Sequence, residues 1–220
     1  MRLQIIRHGD PNYQNDCLTP KGREEAEALV RYTETLPIRS IFSSPMGRAR
    51  ETAESTAKRL GLPVTILPWT RELHLPVYDH PKRGKVAVWN AEPERLAACE
   101  RYPGGWLKDP IFQPPIGEEK FAEIHSGLKD FLALEGITYN NGAFTADGPL
   151  KDGDIALFCH LGFGFALLGI LTNMPATFYW RSFFIATSSV TTVNFEENDG
   201  IIHPRITALG CTPHLFKGNL

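Results

Sequence analysis

Cysteine is scarce in this sequence, and its spacing excludes several kinds of site. Four cysteines occur along the 220 residues, at Cys17, Cys99, Cys159 and Cys211. They form neither a Cys-x-x-Cys pair nor a set with zinc-ligand spacing. We therefore expect reduced and mostly buried thiols, as is typical of a cytoplasmic protein.

An excess of charge of either sign is also missing. Lys and Arg number 23 against 25 Asp and Glu, which gives a net charge of -2. This balance gives no support for a partner that is a nucleic acid or a membrane surface. We expect no signal peptide, because only a short apolar run follows Arg2. The sequence leaves open whether the chain forms a homodimer.

Long hydrophobic runs are limited to one stretch without charged residues, 155–180. It is long enough to span a bilayer. His160, Asn173, Pro175 and several glycines interrupt it, however. We therefore interpret it as a buried strand, a turn and a buried helix that ends before Pro175.

The signatures of several enzyme classes are absent as well. No Gly-x-Ser-x-Gly occurs, which disfavours a serine hydrolase, and no Gly-x-x-x-x-Gly-Lys loop suggests binding of a nucleoside triphosphate. His8 and Asp10 could ligate a metal, but no His-x-His or Glu-x-x-His pair supports them. A metal hydrolase therefore remains an alternative that a chelator would test.

What the sequence does contain is a regular alternation of strand and helix signals. Thr19-Pro20 predicts a helix start with a threonine cap, and this helix stops before Pro37. Ser44-Pro45 predicts a second start, and Gly61 closes that helix. Apolar runs predict strands at 3–6, 40–42, 64–67, 154–159, 189–195 and 201–207. This pattern predicts an α/β fold, a three-layer α/β/α sandwich around a mostly parallel sheet.

The pattern changes between residues 76 and 153. Prolines and glycines are frequent there, and helices are predicted near 93–102 and 117–134. We interpret this region as a partly helical capping insertion within a single domain, 1–220. Its aromatic residues fit a small core under the insertion better than a substrate wall: Trp89, Trp106, Phe112 and Phe121.

The first predicted strand ends in Arg7-His8-Gly9, which places an imidazole beside a permanent cation. Ligands bind at the carboxyl edge of an open α/β sheet, where this strand ends. The neighbouring guanidinium would lower the pKa of His8 and keep its ring neutral and nucleophilic. The same guanidinium offers donors suited to phosphate oxygens.

Five segments in this order resemble the histidine phosphatase superfamily, which has the phosphoglycerate mutase-like fold. The resemblance covers residues 2–73 and about 150–173. The segments are Arg7-His8-Gly9, Leu18-Thr19-Pro20-Lys21-Gly22, the stretch from Ser43 to Thr52, Arg71-Glu72-Leu73 and Phe158-Cys159-His160-Leu161-Gly162.

The resemblance implies a catalytic role for each matching residue. His8 would attack phosphorus and form a phosphohistidine. Arg7, Arg48 and His160 would bind the phosphoryl oxygens. Glu72 would protonate the leaving alkoxide and then activate water. The resemblance implies a small phosphorylated substrate, a phosphoric monoester hydrolase without a cofactor, and no metal.

The sequence departs from the family pattern in the loop after Gly9. Pro11 stands where Ser or Thr is common, and Gln14 stands where many members have Asn. Asn12 and Gln14 are predicted as further phosphate ligands on this loop. Past Glu72, the stretch 73–76 lacks the pattern of the phosphoglycerate mutases, which favours hydrolysis. Mutase-type transfer and a non-catalytic phosphate binder are the alternatives.

Overall fold

The computed structural model describes residues 1–216, and its helices are arranged around a central sheet. The strands of this part are β1 (Arg2–Arg7), β2 (Pro11–Asn12), β3 (Cys17–Leu18), β4 (Ile38–Ser43), β5 (Val64–Ile66), β6 (Val77–His80), β7 (Gly84–Ala87), β8 (Ile137–Asn140), β9 (Ala143–Ala146), β10 (Asp154–Cys159), β11 (Val190–Asn198) and β12 (Ile201–Cys211). The α-helices are α1 (Pro20–Thr33), α2 (Gly47–Leu60), α3 (Pro93–Cys99), α4 (Ile116–Ala133), α5 (Leu161–Thr172) and α6 (Ala176–Ser182).

The sheet has eight strands in the order β5-β4-β10-β1-β11-β12-β9-β8. The first four of these strands run parallel, while β11, β12, β9 and β8 pair antiparallel. The sheet is therefore mixed, and the α/β fold class predicted from the sequence is confirmed.

Alternating side chains of β1 enter two separate cores, as the period of a strand requires. Ile6 packs with residues of α1 and α2, such as Leu29 and Ala53. Leu3 and Ile5 belong to the core on the opposite face, with residues of α4, α5 and α6. Helices thus cover both faces of the sheet, which gives three layers.

The two predicted helix starts have different outcomes. α1 begins as expected, because Thr19 Oγ1 accepts the N–H of Gly22 at 3.1 Å. The start of α2 at Ser44-Pro45 is wrong, because the helix begins at Gly47. The hydroxyl of Ser44 lies 2.7 Å from Nε2 of His160, so it serves a contact outside the helix.

The region 76–153 contains more strand than the sequence indicates. Its helices lie at α3 and α4, close to the predicted ranges, but β8 and β9 also extend the main sheet beyond β12. Phe112 and Phe121 are buried, and the ring of Trp106 packs edge-on against both, with centroids 5.0 and 4.7 Å away. These residues thus pack together, but they belong to the large core on one face of the main sheet and not to a separate small core under the insertion.

The uncharged stretch divides as the sequence predicts, into β10 and α5. Asn173 ends α5 in the left-handed region, with φ of 59°, before Pro175. Within residues 1–216, no helix combines the length and apolar character needed to cross a membrane.

Candidate active site

The parallel register of the central strands brings two histidines together. β1 and β10 pair with Arg7 opposite Cys159, so the next residues, His8 and His160, leave the sheet at the same edge. Their ring centroids are 5.2 Å apart. This is the carboxyl edge at which open α/β sheets bind ligands.

His8 is held as a neutral imidazole with a free Nε2. Its Nδ1 lies 2.7 Å from the carbonyl oxygen of Gly9. A carbonyl only accepts, so Nδ1 carries the proton and the lone pair is on Nε2. Burial lowers the pKa of His8 to about 3, and the charges of Arg48 and Arg7 act in the same direction. The ring is therefore uncharged at neutral pH.

His160 is fully buried beside it. Burial lowers the pKa of His160 well below its usual value, and Arg48, His8 and Arg7 add to this effect. Its Nε2 contacts the hydroxyl of Ser44, whereas its Nδ1 is buried and has no hydrogen-bond partner within residues 1–216.

Arg48 lies in the first turn of α2 and is 5% exposed, and its charge acts on the pKa values of both histidines. Its Nη1 donates to Oδ1 of Asp16 at 2.6 Å, and its guanidinium carbon lies 5.3 Å from the ring centroid of Tyr13. Arg7 donates from Nη1 to the carbonyl of Ile185 at 2.6 Å. Across the described chain, the buried Nε atoms of both arginines have no hydrogen-bond partner. Unpaired buried donors of this kind suit an anionic ligand.

The carboxyl group of Glu72 lies at the N-terminus of α5, the helix that begins directly after His160. Its Oε1 accepts the N–H groups of Leu73 and Phe163 at 2.9 and 2.8 Å, and Oε2 accepts that of Gly162 at 3.2 Å. Burial raises the pKa of Glu72, although these N–H bonds and the charge of Arg48 act against the rise. The site thus holds a carboxyl group with an increased tendency to carry a proton.

The structure does not bring Asn12 and Gln14 into this cluster by any direct contact in the described residues. The side-chain oxygen of Asn12 accepts the N–H of Asn15 at 3.2 Å, which uses it within the loop. Gln14 is exposed. Their role as phosphate ligands stays a prediction.

Three contributors to the site were missed in the sequence: Tyr13, Asp16 and Ser44. Asp16 contacts Arg48 across 32 positions, and no local pattern indicates such a pair. The Ser44-Pro45 pattern predicts a helix cap, and this interpretation gives no indication of the contact between Ser44 and His160.

Metal-ligating side chains do not form a cluster of three or more within residues 1–216. The predicted independence of metal ions stays a prediction that a chelator assay can test.

The edge of this α/β sheet carries two neutral imidazoles, two arginines and a carboxyl group. Groups of these kinds are suited to a phosphoryl-transfer enzyme. The model of the histidine phosphatase superfamily (branch 1) matches residues 3–205. The chain belongs to the histidine phosphatase superfamily. The predicted family is thereby confirmed.

Curated relatives include both phosphatases and mutases. The Hydrogenobacter thermophilus protein named "Putative phosphoserine phosphatase 2" is 26% identical over 171 residues, which are 73% of this chain and 80% of the relative. The Photorhabdus laumondii protein named "Probable phosphoglycerate mutase GpmB" is 29% identical over 48% of this chain, and the match spans about half of that relative, 53%.

Solved structures share the fold along nearly the whole chain. A mutant phosphoserine phosphatase from Entamoeba histolytica, in complex with phosphoserine, has a TM-score of 0.67 at 18% identity and covers 98% of this chain and 99% of its own. A mycobacterial glucosyl-3-phosphoglycerate phosphatase with inorganic phosphate has a TM-score of 0.65 at 22% identity, with coverage of 98% and 99%.

Proposed function

We propose that this chain hydrolyses small phosphomonoesters through a phosphohistidine on Nε2 of His8. Nε2 attacks phosphorus, and the bond from phosphorus to the ester oxygen breaks. The leaving alkoxide takes the proton of the Glu72 carboxyl group. The products of this step are the free alcohol and the phosphorylated enzyme.

Water completes the reaction in a second displacement. The Glu72 carboxylate accepts a proton from water, whose oxygen attacks phosphorus. The phosphorus–nitrogen bond breaks, and its electron pair returns to Nε2 of His8. Arg7, Arg48 and His160 face the negative charge that the phosphoryl oxygens carry in both steps.

The observation that carries the proposal is the bond from Nδ1 of His8 to the carbonyl of Gly9, 2.7 Å long. It fixes the tautomer in which Nε2 has the lone pair. The lowered pKa of the same ring, about 3, keeps that lone pair free of a proton. A nucleophile needs both conditions.

The test is an assay of p-nitrophenyl phosphate and a panel of natural phosphomonoesters, with and without a chelator. Wild type is expected to release phosphate equally in both conditions. His8→Ala is expected to lose this activity. Activity that vanishes with the chelator, or persists without the His8 imidazole, would contradict the proposal. Binding of phosphate esters with no turnover of any would instead support the non-catalytic binder.

Mutase-type transfer is the second candidate, because relatives named as phosphoglycerate mutases match part of this chain. Incubation with 3-phosphoglycerate distinguishes the two. Release of inorganic phosphate supports hydrolysis, whereas accumulation of 2-phosphoglycerate without phosphate supports the mutase.

Cytoplasmic location is part of the proposal. The four cysteines of residues 1–216 are all free thiols. Free thiols suit a reducing compartment. Fractionation of cells that produce the protein tests the location directly.

A further inference from the structure

Asp16 holds the beginning of α2 through both oxygens of one carboxylate. Oδ1 accepts Nη1 of Arg48 at 2.6 Å, and Oδ2 accepts the backbone N–H of Gly47 at 2.8 Å. Arg48 is almost fully buried, whereas the Asp16 side chain is 42% exposed. The carboxylate thus makes one charge-assisted bond to the guanidinium, while its second bond, to the Gly47 backbone, holds the carboxylate itself in place.

The backbone around Asp16 is built for this contact. Asp16 has φ of 47°, a left-handed conformation that Asp and Asn tolerate better than most residues. Its carbonyl oxygen lies 2.1 Å from where a Cβ on Gly47 would be. Only glycine at position 47 therefore lets the loop approach the helix so closely.

The hydrogen bonds of Arg48 show what the contact does for the guanidinium. Asp16 takes Nη1, and Nη2 has only the Met46 sulfur at 3.5 Å. The buried Nε has no hydrogen-bond partner within residues 1–216. Nε and Nη2 therefore have no oxygen partner among the described residues, and these unused donors suit the oxygens of a phosphoryl group.

We propose that Asp16 is a positioning residue that fixes the plane of the Arg48 guanidinium, so that its Nε edge faces the phosphoryl group on His8. This inference rests on the proposed function. Asp16 does not touch substrate. It acts through Arg48, whose orientation in the transition state it sets before substrate binds.

Glu51 of α2 offers a matched control. Glu51 also ties the loop to α2, because its Oε2 accepts the N–H of Leu18 at 2.6 Å. Its other oxygen, Oε1, accepts from Arg23 and not from Arg48. Loss of Glu51 therefore weakens loop attachment and leaves the partner of Arg48 in place.

The test compares kcat and KM for p-nitrophenyl phosphate in Asp16→Asn, Asp16→Gly and Glu51→Gln. Asn keeps the shape and the left-handed backbone, while Gly keeps only the backbone conformation. Asp16→Gly is expected to lower kcat/KM about 10²-fold, the loss typical of a catalytic group displaced by about 1 Å. Asp16→Asn is expected to lose less, and Glu51→Gln least.

An Arg48→Ala background separates positioning from a general structural role. There, Asp16→Gly is expected to cause no further loss in kcat/KM or in the affinity for orthovanadate, which calorimetry measures without turnover. Equal losses in both backgrounds, or wild-type activity of both Asp16 variants, would overturn the inference. Inactive wild type, or an active His8→Ala, would instead overturn the proposed function.

Discussion

The buried, uncharged state of His8 predicts how the stability of the protein depends on pH. The pKa of this residue is about 3 in the folded chain, below its ordinary value of 6.5. Between these two pH values the unfolded chain binds a proton that the native chain does not. The free energy of unfolding must therefore fall as the pH falls through this window.

One such histidine removes about 2.5 kcal/mol of stability between pH 7 and pH 4.5, from 1.36 kcal/mol for each pKa unit. That is a large share of the roughly 5–15 kcal/mol of a typical domain. Burial also lowers the pKa values of His160 and His214, so their contributions have the same sign.

Urea unfolding followed by tryptophan fluorescence measures this effect. His8→Asn is the informative variant, because its amide can still donate to the carbonyl of Gly9 but cannot bind a proton. It is expected to lose about 2.5 kcal/mol less than wild type on going from pH 7 to pH 4.5. Equal losses in the two proteins would mean that the pKa of native His8 is not lowered, and would refute the claim that burial keeps its ring free of a proton in this pH window.

Three further predictions, two of them with a control variant, test the other parts of the site. Gly162→Ala would place a Cβ 2.8 Å from Oε1 of Glu72 and is expected to lower kcat. The control Gly164→Ala is expected to remain active, because its Cβ meets nothing closer than 3.7 Å. Equal activities of the two variants would contradict the close approach of Gly162 to Glu72. Arg48→Lys is expected to lower kcat about 10²-fold or more, while the exposed Arg50→Lys is expected to change it little; the reverse order in steady-state assays would exclude Arg48 as the phosphate ligand. Glu72→Gln is expected to lower kcat about 10²–10⁴-fold. It is also expected to abolish the decline of activity that occurs as the pH rises through the raised pKa of Glu72, where the acid loses its proton; an unchanged pH profile would assign the proton transfer to another group.

Local patterns predicted the elements that carry the site. The apolar run before Arg7 and the Thr19-Pro20 cap correspond to β1 and α1 as the structure has them. The strand and helix around His160 were also predicted, because each has a distinct apolar composition. These signals depend on neighbours in the chain, so the sequence alone can reveal them.

The strands β8 and β9 were missed, and long-range pairing accounts for only part of this. β8 and β9 are four residues each, and they form strands because they pair with each other and with β12. They extend the antiparallel part of the sheet, which begins where β11 pairs with β1 and β12. The turn between them, Asn141-Gly142 with φ of 46° and 86°, is a local hairpin signal, whereas the pairing of β9 with β12 joins segments that are distant in the sequence.

The start of α2 shows the same limit in the site. Ser44 is a residue type typical of a helix cap, but it directly follows β4, and this position places its side chain beside His160. The contact of Asp16 with Arg48 likewise forms only when α2 packs against the loop that contains Asp16. Residue types therefore indicated the reacting groups, whereas the groups that orient them required the tertiary structure.

The most direct test of the central claim is to trap the phosphorylated enzyme. Protein quenched within milliseconds of mixing with a phosphomonoester is expected to carry phosphate that is stable to base and labile to acid, as a phosphorus–nitrogen bond requires. Mass spectrometry is expected to locate it on the peptide that contains His8. Phosphate on another residue, or turnover with no phosphorylated enzyme and an active His8→Ala variant, would contradict the account.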